Sequence, residues 1–450
     1  AEMNLENYTF ENGDGIRGTI QFDPIITDKY DLDIRIVDRF DRMIAAKQQY
    51  IKPKTDQQTS LKFTFENVHV VTKAVKVVAT LSLFDRTVET FEKIVVCEDD
   101  FSPAFRFTSH GSQYGLDFDS KNIRQNGKSS KDVEDLLFAG QSYFCWLNAP
   151  DPFRIQHPEG TIRPGCLTNN EFIQKNIDFL KPYAEVGSKY HGFGFKISDE
   201  WGFGGEGNLE NDFCHSPTCI HGFQEFLKAE YGSLTELNNW WGADYQNWDA
   251  IEPPMLEDVK QGKHEVAWVD HRQYTEKVTA DFFADLNGGL QEIYPGMRVG
   301  LGGTPNAGSF NGYDWWRLSR TMPFVACYSG PQLEIIRSFQ KPENYVCRWL
   351  GYDRAAIDEK GLRGNLWHLI FNRMDGALYY YMDRYSPLGY PDGTPNNKAI
   401  WLADEMARVK QGGLARLLNT AEPLHDGIAV HYSQSSIHLA TRDGFRGDHA

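Results

Sequence analysis

The run Phe193-Gly194-Phe195-Lys196-Ile197-Ser198-Asp199-Glu200-Trp201-Gly202 combines an apolar strand with two adjacent carboxylates, an aromatic and glycines. Two neighbouring carboxylates repel, and the pKa of one rises. A raised pKa is what a general acid needs near neutral pH. Trp201 can push Glu200 the same way by desolvating it. The plainer reading is an Asp-Glu pair that caps the following loop.

Glycoside hydrolysis fits such a pair if a second carboxylate faces it. Retaining enzymes hold the two about 5–5.5 Å apart, and the second acts as nucleophile. Four acids stand near other strand ends: Glu334, Glu343, Asp353 and Asp383. Asp353 follows Tyr345-Val346-Cys347-Arg348-Trp349-Leu350-Gly351-Tyr352 and is the first candidate nucleophile. Asp383 ends Tyr379-Tyr380-Tyr381-Met382. Glu334 is placed to open a helix and complement its dipole. Glu343 precedes its strand and is expected at the wrong end.

Trp146, Trp201, Tyr328, Trp349, Tyr352 and Tyr385 cluster near the same ends. As a group they suit stacking against sugar C–H faces, although any one of them can simply fill core. Arg348, Arg354 and Arg384 can bind an anionic substituent bidentately, or hold barrel carboxylates in place. Candidate substrate contacts are therefore Asp199, Trp146, Trp201, Tyr328, Trp349, Asp383 and Arg348. Cys214 and Cys219 are spaced C-x4-C around His215, half of a metal site, with Cys145 and Cys166 as further thiols. Structural zinc favours tighter C-x2-C pairs, and buried free Cys are common. No metal and no cofactor is expected. P-loop, dinucleotide and nucleophile-elbow motifs are missing, and Gly300-Leu301-Gly302-Gly303 reads as a strand-end loop.

Strands must carry these residues. Up to about residue 100 the pattern has period two: Leu32, Ile34 and Ile36; Leu61, Phe63 and Phe65; Val75 to Leu83; Val88 to Val96. One polar face means antiparallel strands packed on one side, and several of them predict an Ig-like β-sandwich over 1–103. It contains no Trp, so it is expected to pack or space rather than to bind sugar. From 104 the rhythm becomes strand–helix. Apolar runs at 105–108, 143–147, 193–197, 299–301, 324–328, 345–349 and 377–382 alternate with helical stretches at 171–188, 219–231, 268–293, 333–340, 363–374 and 398–416. This predicts an α/β fold, a (β/α)8 TIM barrel over 104–420. Seven strands are visible, and an eighth is expected within 111–127. Gly427 to Tyr432 reads as one more strand, opening a truncated α/β domain over 421–450.

The chain has 450 residues, with 62 Asp+Glu against 46 Lys+Arg, a formal charge of −16. Nucleic acid and anionic membranes are poor partners for that balance. No run approaches the length of a bilayer span. The 7 Cys are too few for a disulfide scaffold. Ala1-Glu2-Met3-Asn4 has neither a basic start nor an apolar h-region. The expected location is secreted or periplasmic, with a cytoplasmic one as the alternative.

The stretch Ser198 to Gly202, then Cys214 and Cys219, then Phe223-Gln224-Glu225-Phe226-Leu227-Lys228-Ala229-Glu230-Tyr231-Gly232-Ser233-Leu234 resembles the family-42 β-galactosidases of glycoside hydrolase clan A. Leu237-Asn238, Trp240-Trp241-Gly242 and Trp248-Asp249-Ala250-Ile251-Glu252-Pro253-Pro254 continue the likeness. So do Arg163-Pro164-Gly165, the helix Glu171 to Ser188, and Asp426-Gly427-Ile428-Ala429-Val430, which is similar to the start of that family's trimerisation domain. The resemblance implies a retaining barrel enzyme with Glu200 as acid/base. It implies a β-galactoside or related oligo- or polysaccharide as partner, exo action and a homotrimer. The chain departs from the family in three respects. The clan has Asn, a donor to the sugar 2-OH, where Asp199 stands. The nucleophilic Glu should end the seventh strand near Arg348 to Leu350, where no acid stands and Asp353 is nearest. The family's C-x-C-x2-C zinc run is not reproduced. A non-catalytic saccharide-binding protein on a degenerate barrel is the rival expectation.

Overall fold

The computed structural model describes residues 2–444 except 23–28, 52–58, 99–103, 111–115, 117, 124, 208, 329, 352–357, 381–387, 423 and 425–426. The first eight strands are β1 (Glu2–Leu5), β2 (Thr9–Phe10), β3 (Ile16–Phe22), β4 (Tyr30–Asp38), β5 (Met43–Ile51), β6 (Thr59–Phe65), β7 (Ala74–Leu83) and β8 (Arg86–Cys97). They form two sheets in the orders β1-β3-β6 and β2-β8-β7-β4-β5. Pairing is antiparallel apart from the short parallel β2–β8 contact. Alternation decides the face. Leu32, Ile34 and Ile36 of β4 stand opposite Leu81, Ala79 and Val77 of β7, all buried. β5 has little apolar period because it is a mostly exposed edge, which hid it from the sequence.

A closed eight-stranded parallel barrel follows: β9 (Arg106–His110), β10 (Ser120–Ile123), β11 (Ser142–Trp146), β12 (Phe195–Asp199), β13 (Val299–Thr304), β14 (Phe324–Cys327), β15 (Tyr345–Leu350) and β16 (Gly376–Tyr380), with β16 closing on β9. The strand expected within 111–127 is β10. Its sequence Ser-Lys-Asn-Ile is too short and polar to show a period. The helices are α1 (Ser130–Phe138), α2 (Asn170–Tyr190), α3 (Pro217–Tyr231), α4 (Leu234–Trp241), α5 (Leu256–Lys260), α6 (Glu265–Gly288), α7 (Trp315–Thr321), α8 (Gly330–Phe339), α9 (Glu359–Phe371), α10 (Asn397–Gly412), α11 (Leu414–Thr420) and α12 (Gln434–Arg442). None of them is long and apolar enough to cross a membrane.

Inside the barrel, Phe144, Phe324 and Tyr345 stack as a lower layer; Phe144 and Phe324 have ring centroids 5.0 Å apart. Above them Trp146, Tyr328, Trp349 and Tyr380 form the layer nearest the strand C-termini. The sandwich is fastened at the opposite face. The Arg39 guanidinium donates to the Ala139 carbonyl (2.7 Å), and Lys73 bonds Ser142 at the start of β11. The strand expected at Gly427 to Tyr432 does not form. Residues 427–433 are non-repetitive and lead into α12, which packs on α6. Apolar alternation specifies a strand only where a sheet can bury it, and Ile428 and Val430 are left exposed.

Candidate active site

β12, the fourth barrel strand, ends at Asp199, and Glu200 follows in the left-handed region with φ 49°. That conformation is costly for a side chain bearing Cβ and marks functional sites. It is clamped: the Glu200 N–H donates to the Gly302 carbonyl (3.3 Å), and Gly207 N–H donates to the Glu200 carbonyl (2.5 Å). The Glu200 side chain is 39% exposed. The Tyr328 hydroxyl donates to its Oε1 (3.2 Å), and Arg154 Nη2 lies 3.6 Å from its Oε2. Arg154 also pairs with Glu206, which hydrogen-bonds Glu200 in turn. Partial burial raises the Glu200 carboxyl above its ordinary range. The neighbouring Asp199 charge and the Glu206 bond push further, against the Tyr328 hydroxyl. Arg154 holds Glu206 low against its burial, so the two carboxyls are pushed in opposite directions, Glu200 up and Glu206 down.

Beneath Asp199 sits Lys196, fully buried, with Nζ 2.6 Å from Asp199 Oδ1. Its ammonium lies 3.4 Å over the Trp146 ring and 5.1 Å from Trp349. Burial pushes its pKa down to about 8, opposed by Asp199. His110 stacks on Tyr380 (5.0 Å) and lies 4.5 Å from Trp146, its Nδ1 2.5 Å from Asn122 Nδ2. Opposite the carboxylates, Gly303 has φ 63°. A Cβ there would collide with Asp199 Oδ1 and stand 2.6 Å from the Tyr328 hydroxyl.

Of the residues singled out from sequence, Glu200, Asp199, Trp146 and Tyr328 come together; Trp349 packs against Trp146 but is 2% exposed, so it backs the site and offers no open face to a sugar. Arg348 joins as a brace, its Nε donating to the Tyr328 carbonyl (2.9 Å). Trp201 does not line the site. It is 1% exposed, stacked on Phe153, with Nε1 donating to the Phe153 carbonyl (3.0 Å), so it backs the loop behind Glu200. Glu334 is 50% exposed on α8 and pairs with Arg337 at 2.7 Å; Glu343 is exposed before β15. Asp353, Asp383, Tyr352, Tyr385, Arg354 and Arg384 lie outside the described residues. The end of β15, the seventh barrel strand, presents Arg348, Trp349 and Leu350 and no acid. Arg154, Glu206, His110 and Lys196 were missed. Only Lys196 carried a signal, a lone cation in an otherwise apolar strand.

A second cluster lies behind Trp201. The thiols of Cys166, Cys214 and Cys219 fall within 4.8 Å of one another. Cys145 is not part of it. The run reads Cys214-x-Ser216-x2-Cys219, with the Ser216 hydroxyl 3.2 Å from Cys166 Sγ. Bonds from the other two thiols hold Cys166 low. Although no metal is expected from the sequence, the three thiols of Cys166, Cys214 and Cys219 suit a zinc ion, with the Ser216 hydroxyl beside Cys166. Bound there it would act structurally, tying the loop after β12 to the residues before α2.

Residues 155–348 match the model of glycoside hydrolase family 42, β-galactosidase. The β-galactosidase BglY of Alicyclobacillus acidocaldarius is 27% identical over 206 residues, 42% of this chain and 27% of that protein. The β-galactosidase GalA of Bacillus licheniformis is 24% identical over 185 residues, 38% of this chain and 26% of that protein. The chain thus spans about a quarter of the length of these relatives. The crystal structure of an apo exo-carrageenase of family 42 from Bacteroides ovatus superimposes with TM-score 0.50 and 15% identity, covering 74% of this chain and 52% of that one. That likeness shows the shared barrel fold. Through residues 155–348 the chain is similar to the family-42 β-galactosidases.

Proposed function

We propose that the chain is a retaining β-glycoside hydrolase, exo-acting on a β-galactoside or related saccharide, with Glu200 as acid/base. The observation that carries this is the setting of Glu200: strained, half-buried, held by Tyr328 and Arg154, its carboxyl pKa raised by burial, Asp199 and Glu206. A protonated Glu200 donates to the departing sugar oxygen. As the carboxylate it then takes a proton from the water that frees the sugar. Trp146 and Tyr328 offer C–H stacking faces at the strand ends. Asp353 is the proposed nucleophile and Asp383 the next candidate, because the end of β15 has no acid of its own.

That same lack of an acid favours a second reading, a saccharide-binding protein on a barrel that has lost catalysis. Screening purified protein against aryl β-glycosides and galactose-containing polysaccharides decides between them. Turnover of an aryl β-galactoside or a close epimer is the expected result. Saccharide binding with no hydrolysis across the panel would establish the second reading.

A further inference from the structure

We infer that Lys196 is a positioning residue that acts with Asp199 as one unit, so that position 199 offers the sugar ring a hydrogen-bond acceptor and not a donor. The inference rests on the glycosidase reading of the same site and adds what that site selects.

Residues three apart on a regular strand point to opposite faces. Lys196 and Asp199 nevertheless meet at 2.6 Å, because the pairing of β12 with β13 shifts register between Lys196 and Asp199. Such an irregularity re-aims a side chain. The facing strand is cut away to house the pair. A Cβ at Gly302 would stand 2.5 Å from Lys196 Cδ, and one at Gly303 would strike Asp199 Oδ1. Burying an ammonium is costly unless it is paired, and this one is paired with Asp199 over the Trp146 ring. With Lys196 on Oδ1, the second oxygen of Asp199 is left to accept only. Glycosidases gain much of their rate from a bond to the hydroxyl beside the reacting carbon that tightens in the transition state. On the glycosidase reading, Asp199, next to the proposed acid and 21% exposed, is the acceptor for this hydroxyl. Sugars carrying a donor at that carbon are accepted, and those carrying fluorine or an ether there are rejected.

The test compares kcat/KM for an aryl β-galactoside and its 2-deoxy-2-fluoro analogue in wild type, Lys196→Met, Asp199→Asn and the double variant. The intrinsic slowing by fluorine cancels between variants. The hydroxyl-over-fluorine preference should fall at least tenfold in Asp199→Asn, whose amide can donate. Lys196→Met should lose at least a hundredfold in kcat, and the double variant should recover at least tenfold of it, since an amide needs no ammonium. An unchanged preference in Asp199→Asn overturns the inference, as does a wild-type rate in Lys196→Met or a double variant worse than either single. If Lys196→Met does not fold, the isosteric Asp199→Asn alone decides. Calorimetric binding of galactose against 2-deoxy-2-fluorogalactose separates this from failure of the glycosidase reading. The same preference in a protein without turnover upholds the acceptor site. No preference, or no binding of either sugar, overturns it.

Discussion

Glu200, the proposed acid/base, concentrates backbone strain and a raised pKa at one position. A left-handed conformation costs on the order of 1–3 kcal/mol for a residue with a side chain. It persists because Gly302 and Gly207 grip both sides of its backbone. Its position was legible in sequence: an apolar run ending in two acids and an aromatic is unusual enough to stand out. The residues that set its protonation were not. Arg154 and Glu206 come from loops whose sequence has no period, and only the folded chain brings them to Glu200. The raised pKa fixes a sign. The general acid must be protonated, so kcat/KM should fall as pH rises through the raised value, above the ordinary Glu range near 4.3. Replacing Glu206 by Gln removes a neighbouring charge and should move that alkaline limb to lower pH. A pH–rate profile of both proteins checks it, and an unmoved limb would detach Glu206 from the acid.

At the scale of elements, β12 and β13 make the site between them. Most barrel strands were readable because a parallel strand buried on both faces is a plain apolar run. β10 escaped for lack of apolar residues. The tail at 427–432 has the right alternation but no sheet to bury it. Gly300-Leu301-Gly302-Gly303 belongs to β13 itself, and its glycines give Lys196, Asp199 and Tyr328 their room. Gly303→Ala therefore meets both a positive φ and a collision. It should lower stability by about 1–3 kcal/mol and turnover by at least tenfold. Thermal melts and aryl-glycoside kinetics measure this. A variant with wild-type rate would show that the packing around Asp199 is loose.

For the whole molecule, the barrel presents one face bearing Glu200 and one anchored face. Lys73, Arg39 and the Tyr8–Tyr190 ring contact tie the sandwich to the face opposite Glu200, which suits a packing or spacing role. α12 is clasped to α6 through His438 and Glu276 (3.2 Å), with Ser309 on the other ring nitrogen (3.1 Å), all buried. No sequence pattern announces such a clasp, since its members are far apart in the chain. On the anchored face, Asp375 accepts from Val346 N–H (2.7 Å), and burial raises its pKa to about 6. A carboxyl raised in the folded state binds protons there that the unfolded chain releases. Stability is thus fullest below the unfolded value near 3.9 and declines as pH rises through about 6, by about 3 kcal/mol. Asp375→Asn should flatten the fall in Tm between pH 4.5 and 7.5. A slope as steep as wild type would contradict this assignment.

The central claim is the role of Glu200, and azide rescue tests it most directly. In Glu200→Ala, an activated aryl β-galactoside such as the 2,4-dinitrophenyl compound still forms the glycosyl-enzyme, because its leaving group needs no proton. Azide, which needs no general base, should then restore turnover and give the β-glycosyl azide. No rescue, or the α-azide expected if Glu200 were itself the nucleophile, would contradict the account.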